Sequence, residues 1–448
     1  MLQDLRYAFR MIRQQPCFSA AIMGTLALGI GVNTTVFSLV NGVIFKPLPF
    51  PGGERLVMVE AKKVGEERTS RNVSYADWVD YRAAATSFER LEAFLGTTVT
   101  ISERGNPPER LRGGRVTSGL FAMLHVQPVT GRALQAEDEK PGAEAVIMLG
   151  YGVWKDRYGL DPKVVGRTVL ANGKPAVVVG VMPDGFKFPS NEDVWMPAVP
   201  DEQLLKRNVR AFQMMGILRP EATRAGASAD LSVVSARLQQ QFPDTHKGYS
   251  VAVSTFHEAM NGGPIRLVFL LMMGAVGFVL LMACANVANM LLGRAIGRER
   301  EIAIRLAMGA TSGRIIRQLL VESMLLSMVG GLGGLGLATL GVNAFAKASE
   351  NVGKPYWVVF SMDYVVFGYF AVVCIVAGIL FGLAPALQAA RADVNGSLKE
   401  GSKSAGGVRT GYFSGALVVL QFALAVVLLS GAGLMIRSFL AAQNEFAG

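Results

Sequence analysis

LVFLLMMGAVGFVLLMACANVANMLL, residues 267–292, sets the architecture of this chain. It holds no Asp, Glu, Lys or Arg, and a helix needs about 20 apolar residues to cross a hydrocarbon core. Further runs of this kind stand at 18–45, 319–342, 364–383 and 413–435, and each reads as a membrane span. Between the first two spans lies a stretch of mixed composition, 46–266, long enough to be a domain of its own. The whole chain agrees, with 448 residues, 51% hydrophobic, only 17% charged, and a mean hydropathy of +0.35. A soluble globular protein carries about a quarter charged residues.

The formal charge of +10 does not point to nucleic acid. Many Lys and Arg flank the apolar runs, so the lipid bilayer is the expected partner and the excess is a topology signal. Arg6, Arg10 and Arg13 precede the first run. Arg294, Arg298, Arg300, Arg305, Arg314 and Arg317 follow the second. Arg391, Lys399, Lys403 and Arg409 follow the fourth, while the loop between the third and fourth has only Lys347 and Lys354. This distribution predicts a cytoplasmic N-terminus, residues 46–266 outside, and an inner-membrane location. The first run is too long for the apolar core of a signal peptide and no A-x-A site follows it, so a signal anchor is expected. Residues 1–16 read as an amphipathic cytoplasmic helix ended by Pro16, with Leu2, Leu5, Phe9 and Ile12 on one face and arginines on the other. Such a helix lies in the membrane interface or docks a partner.

The external stretch reads as α+β. Strand-like runs flank Asn172-Gly173, a hairpin signal. Phe212–Leu218 reads as a strand, residues 225–242 as a helix with Leu231, Val234, Leu238 and Phe242 on one face, and residues 74–94 as another helix. Cys17, Cys284 and Cys374 lie in or beside apolar runs, so the external domain has no disulfide and no metal or redox pair is expected. No P-loop, metalloprotease, EF-hand or nucleophile-elbow motif occurs. Gly331-Leu-Gly-Gly-Leu-Gly336 matches the dinucleotide pattern but sits inside an apolar run with no preceding strand. Close helix packing is the better reading, and Gly24, Gly29 and Gly31 invite the same one. The acid pairs Glu137/Asp138 and Glu192/Asp193 read as solvated loop charges. No catalytic, cofactor-binding or metal-binding residue is assigned.

The segment RAIGREREIAIRLAMGATSGRIIRQLLVE, residues 294–322, is dense in charge yet amphipathic. Ile302, Leu306 and Met308 are apolar among Arg298, Glu299, Arg300, Glu301 and Arg305, and Gly309 and Gly313 break it before the third span. It either fixes topology or transmits a push from a partner to two spans.

Within it, EIAIRLAMGAT (301–311) resembles the cytoplasmic loop of FtsX-like permeases, the membrane subunits of MacB-type ABC transporters. MLQDLRYAFRMI (1–12) and LALGIGVNTTVFSLVNGVIFKPLPF (26–50) resemble the start of these permeases. TSGLFAMLHVQPVTGRAL (117–134), VWKDRYGLDPKVVGRTVLANGKPAVVVGVMP (153–183) and DVWMPAV (193–199) resemble the MacB-type periplasmic core. GLAPALQAARADVNGSLKEG (382–401) is similar to the end of the fourth span and the segment behind it.

The resemblance implies an α-helical membrane protein, a four-span FtsX-like unit plus a fifth span, with a large α+β MacB-like periplasmic core domain between spans 1 and 2. In that core, a βαβ-rich part from about 50–100 and 205–262 carries a β-rich insert at about 101–204. A coupling loop at 293–318 and a cytoplasmic linker at 384–412 complete the division. The fifth span resembles the opening of a second half, as in duplicated permeases, so the chain reads as one complete half plus the first span of the next. By resemblance, a separate cytoplasmic ABC ATPase carries ATP-Mg and performs the hydrolysis. It would dock on Arg298, Glu301, Arg305, Leu306, Met308 and Gly309, with Leu5, Arg6 and Phe9 as a second contact. A second permease half or a homodimer is implied, and a periplasmic adaptor is left open. The expected activity is efflux of a drug, peptide or lipoprotein by mechanotransmission. The rival reading is a regulatory scaffold that activates a periplasmic cell-wall hydrolase.

Overall fold

The computed structural model describes residues 10, 13–63, 72–103, 106–296, 304, 308, 311–349, 353–390 and 406–446. Pro16 opens the first long helix, α1 (Pro16–Val40), where its missing N–H costs nothing. The helix runs on as one π-helical turn, Asn41–Phe45. The chain then builds a sheet-rich domain and returns to helix.

β1 (Leu56–Lys63) is followed by α2 (Tyr75–Ala84) and the long β2 (Phe88–Glu103). Residues 74–94 are therefore not one helix. Ser74 caps α2 by accepting from Asp77 N, but Ala85 is extended, and the N–H groups of Thr86 and Ser87 donate to Asp230 Oδ2 at 2.8 and 2.9 Å. Phe88, Leu91 and Phe94 mimic helical spacing, yet cross-strand pairing to two neighbours overrides it. Next come β3 (Asn106–Val116), β4 (Thr130–Gly131), β5 (Val146–Leu149) and α3 (Tyr151–Tyr158). The hairpin of β6 (Thr168–Ala171) and β7 (Lys174–Val181) turns at Asn172 and Gly173, both at positive φ (51° and 79°), as a type I′ turn requires. β8 (Val194–Pro197), β9 (Gln213–Leu218), α4 (Arg224–Gln241), β10 (Tyr249–Thr255) and α5 (Phe256–Asn261) complete the domain. On α4, Leu231, Val234 and Leu238 are buried as their spacing predicts, but Phe242 just past its end is half-exposed.

The strands form one sheet in the order β10-β1-β9-β2-β3-β8-β5-β7-β4. The first part, β10-β1-β9-β2, is antiparallel and is joined through α2 and α4, a βαββαβ unit. Its core includes Trp78, Tyr81, Phe88, Phe212, Met214 and Leu231. β6 pairs with both β2 and β7, so β2, β3, β8, β5, β7 and β6 close into a ring around Val99, Ile101, Ile147, Leu149, Val178 and Val194. The sixteen-residue β2 belongs to both parts.

The remaining helices are α6 (Pro264–Ile296), α7 (Ser312–Ala348), α8 (Tyr364–Ala390) and α9 (Gly406–Phe446). With α1 they make, among the described residues, five helices long and apolar enough to cross a membrane. α8 runs past the expected end of its span at 383, and α9 starts before 413. α1, α7 and α8 interlock through small residues. A Cβ on Gly334 would stand 2.9 Å from the Ala27 carbonyl oxygen, and one on Gly382 would strike the Ser323 hydroxyl. Gly31 and Gly29 face Gly334 and Ala283, but among the described residues a Cβ on Gly24 would meet nothing within 4 Å. None of the described residues of α9 is buried.

By compactness the chain divides into two units. One holds residues 1–42, 265–348 and 360–448, and the other holds 43–264 together with 349–359. Residues 349–359 of the loop between α7 and α8 therefore belong to the sheet-rich unit, which is not confined to 46–266. Each acid pair also has one buried member. Asp138 takes a two-pronged grip from Arg132 at 2.7 and 2.9 Å, and Glu192 accepts from Ser190 N at 2.7 Å. Neither is a solvated loop charge, because each is itself buried and is satisfied by a cation or a backbone N–H.

Candidate coupling site

Three separated stretches of chain meet at the base of the sheet-rich unit. α5 starts with a capping box, in which Thr255 Oγ1 accepts from Glu258 N at 3.1 Å and Glu258 Oε2 from Thr255 N at 3.0 Å. That fixes the helix so that Phe256 points inward and Asn261 reaches the chain arriving from α1, donating to the Val43 carbonyl at 2.7 Å. The third stretch is the strap 349–359. Tyr356 N donates to Ser190 O at 3.0 Å, Asn191 Nδ2 to Gly353 O at 3.1 Å, and Trp357 Nε1 to Pro189 O at 3.3 Å. Trp357 is 4% exposed and meets Phe256 and His257 edge to face, with centroids 5.5 and 5.4 Å apart. Phe188 stacks on the other side of Phe256. Burial pushes the His257 imidazole below its ordinary value, so it stays neutral, and drives the Tyr356 hydroxyl up. Hydrogen bonds and neutral aromatic contacts both hold the strap.

In the helical unit, α1 is tied to α8 and the residues before it. Asn33 accepts from the Tyr369 hydroxyl, Phe37 stacks on the Tyr369 ring at 3.8 Å, Ser38 Oγ donates to Ser361 O at 3.2 Å, and Asn41 Nδ2 to Asp363 Oδ2 at 3.0 Å. Asp363 Oδ1 in turn caps α8 at Val366 N. Polar groups buried between spans are satisfied by one another because the bilayer offers nothing else.

At the other end lies the segment between α6 and α7. Of the residues assigned to coupling, Met308 is described and is 77% exposed. Its N–H donates to Ile304 O at 3.0 Å, and Ile304 is also exposed. Arg298, Glu301, Arg305, Leu306, Gly309, Leu5, Arg6 and Phe9 lie outside the described residues. Arg294 near the end of α6 pairs with Glu322 on α7 at 3.3 Å, with side chains 11% and 7% exposed. The Arg294 guanidinium also lies 5.3 Å from the Phe18 ring centroid of α1. The two residues that bound the charged segment in sequence are thus paired in space. Sequence reading passed over Glu322 as a coupling residue. An ionisable side chain within an otherwise apolar run was the signal that could have found it.

Among the described residues, no group of three His, Cys, Asp or Glu side chains is placed to hold a metal. The arrangement offers ties between chain segments.

Residues 19–234 match the MacB-like periplasmic core domain, and residues 273–394 match the FtsX-like permease C-terminal domain. The chain is 31% identical over 283 residues to the pyoverdine export ATP-binding/permease protein PvdT of Pseudomonas syringae pv. tomato, covering 61% of this chain and 40% of the relative. It is 28% identical to the protein of that name from Pseudomonas fluorescens, covering 82% and 55%. To the macrolide export ATP-binding/permease protein MacB 1 of Aeromonas hydrophila it is 25% identical, covering 84% and 55%. The chain thus spans about half the length of these relatives, or less. The periplasmic region of MacB from Actinobacillus actinomycetemcomitans aligns at 13% identity and a TM-score of 0.36, over 50% of this chain and 94% of that one, and this likeness adds no weight. With a MacB-like core domain followed on the same chain by an FtsX-like permease domain, the protein belongs to the MacB/FtsX-like ABC permeases.

Proposed function

We propose that this chain is the permease of an ABC exporter in the inner membrane, with its N-terminus and the 293–318 segment in the cytoplasm. A separate ATPase carries ATP-Mg, docks on that segment, and drives the spans. Their motion reaches the periplasmic domain, which acts on cargo. The observation that carries this reading is the succession of a MacB-like core domain and an FtsX-like permease domain on one chain. Relatives named for pyoverdine export and for macrolide export support export as the activity class. Two different cargoes on one architecture name none for this chain. A second copy or a second permease half completes the assembly.

Affinity purification of the tagged chain from its native membrane in mild detergent tests the reading. The expected result is a P-loop ATPase recovered in near-equal amount. An intact, folded chain that brings down no ATPase would remove the transport assignment. On the docking surface, charge reversal at Glu301 and Arg305 should lower ATPase stimulation while membrane insertion is unchanged. Full stimulation in that variant takes these two residues out of the interface.

A further inference from the structure

We propose that Arg294 and Glu322 are a positioning pair that carries displacement of the 295–321 segment into α1. The proposal rests on the permease reading above and names the link by which a partner's push would enter the helical unit.

The geometry has three parts. Arg294 Nη1 and Glu322 Oε1 stand 3.3 Å apart, with both side chains nearly buried. α7 is 37 residues long, about 55 Å at 1.5 Å per residue, well over the ~30 Å of a hydrocarbon core. Glu322 therefore has room to sit at the membrane border, with the apolar stretch of α7 beyond it. Ionisable groups at such depth are costly and persist where they are paired. The third part is Phe18. The Arg294 guanidinium lies over its ring, and a cation over an aromatic face is attracted to it. One side chain at the end of α6 thus holds both α7 and the first turn of α1.

That placement makes the pair a mechanical closure. In the chain the 295–321 segment joins α6 to α7, and the pair links these two helices side by side, so a push that reaches either helix is shared with the other. α1 follows through Phe18, and also through its close packing on α7 at Gly330 and Gly334. α1 is the helix that leads directly into the sheet-rich unit at Val43.

Native Cys17, exposed and next to Phe18, is a ready reporter, because Cys284 and Cys374 are buried. The measurement is the rate at which a maleimide labels Cys17 of the full chain in native membranes, with and without ATP plus vanadate. The wild type should change rate by about fivefold or more, the lower end of ordinary coupling between sites. Arg294→Met/Glu322→Met keeps apolar volume at the closure and removes both charges, an exchange that buried ion pairs usually tolerate. It should insert, still bring down the ATPase, and lose the nucleotide effect. Arg294→Glu/Glu322→Arg restores attraction in reverse and should regain part of it, whereas Glu322→Gln alone should not. An undiminished effect in the double Met variant or in Glu322→Gln overturns the proposal and leaves the permease reading intact. A wild type with no nucleotide effect and no recovered ATPase overturns both.

Discussion

Asp77 shows how the sheet-rich unit uses charge for structure. Its Oδ1 accepts from Arg207 at 2.8 Å and lies 2.9 Å from His246 Nε2, and Arg210 stands 3.3 Å from Oδ2. Arg207 and Arg210 also lie over the rings of Phe242 and Tyr249. Burial alone would raise the Asp77 carboxyl, but the His246 hydrogen bond and charge, Arg210 and Ser74 outweigh it and hold the group below its usual value. A depressed carboxylate stabilises the fold above its unfolded value of about 3.9 and loses that contribution as pH falls through the folded value. Asp77→Ala should cost about 3–5 kcal/mol at neutral pH, because it leaves buried cations without their anion. Its deficit relative to wild type should shrink only below about pH 4, read from the fluorescence of buried Trp78 during unfolding. Glu92 is the opposite case. It is 1% exposed, and burial raises its carboxyl despite the Thr117 hydrogen bond. A raised carboxyl costs stability as pH climbs through it, so Glu92→Gln should gain stability relative to wild type between acid and neutral pH. A fall instead would mean the charge is used. Neither residue was legible in sequence, because burial and partners come from residues more than a hundred positions away for Asp77 and 25 away for Glu92.

The helices illustrate what hydropathy can and cannot tell. Apolar runs marked all five long helices, since a membrane span is written in one continuous stretch. The Asn172-Gly173 hairpin was legible for a similar reason, with its turn chemistry confined to two residues. β2 was not, because its pairing with β9, β3 and β6 is decided elsewhere in the chain. Glycine contacts fall between these cases. The small-residue pattern was visible in α1 and α7, but which glycines touch was not. Gly334 faces the Ala27 carbonyl and Gly31, while Gly24 faces open space. Gly334→Leu should force α1 and α7 apart, at a cost of about 1–3 kcal/mol or more in detergent-solubilised thermal stability. Gly24→Leu should be neutral in the same assay. Equal effects would mean that the α1–α7 contact is not formed in the membrane.

The chain passes between its two units at residues 42/43, 264/265, 348/349 and 359/360. Two of these four passages belong to the strap. Trp357 is the grip of the strap, through Pro189 O, Phe256 and His257. Trp357→Ala in the full chain should raise proteolytic cutting within 349–359 while leaving the βαββαβ core intact, because that core does not contain Trp357. Unaltered cutting would show that the hydrogen bonds of Tyr356 and Asn191 suffice. Nothing in the sequence marks the strap, whose single lysine, Lys354, and adjacent Tyr356 and Trp357 read as an ordinary connecting loop.

The strap also puts the making of the molecule in order. Residues 43–264 leave the ribosome first, but the strap that completes their base comes only after α6 and α7. At ordinary elongation the last strap residue is made roughly 5–20 s after Pro264. During that interval the ring faces of Phe256 and His257 wait uncovered, outside the membrane, for a tryptophan that has not yet been synthesised. The newborn domain must therefore be stable enough to wait, or be sheltered by something else in the cell envelope, and the insertion of α7 becomes the event that finishes its folding.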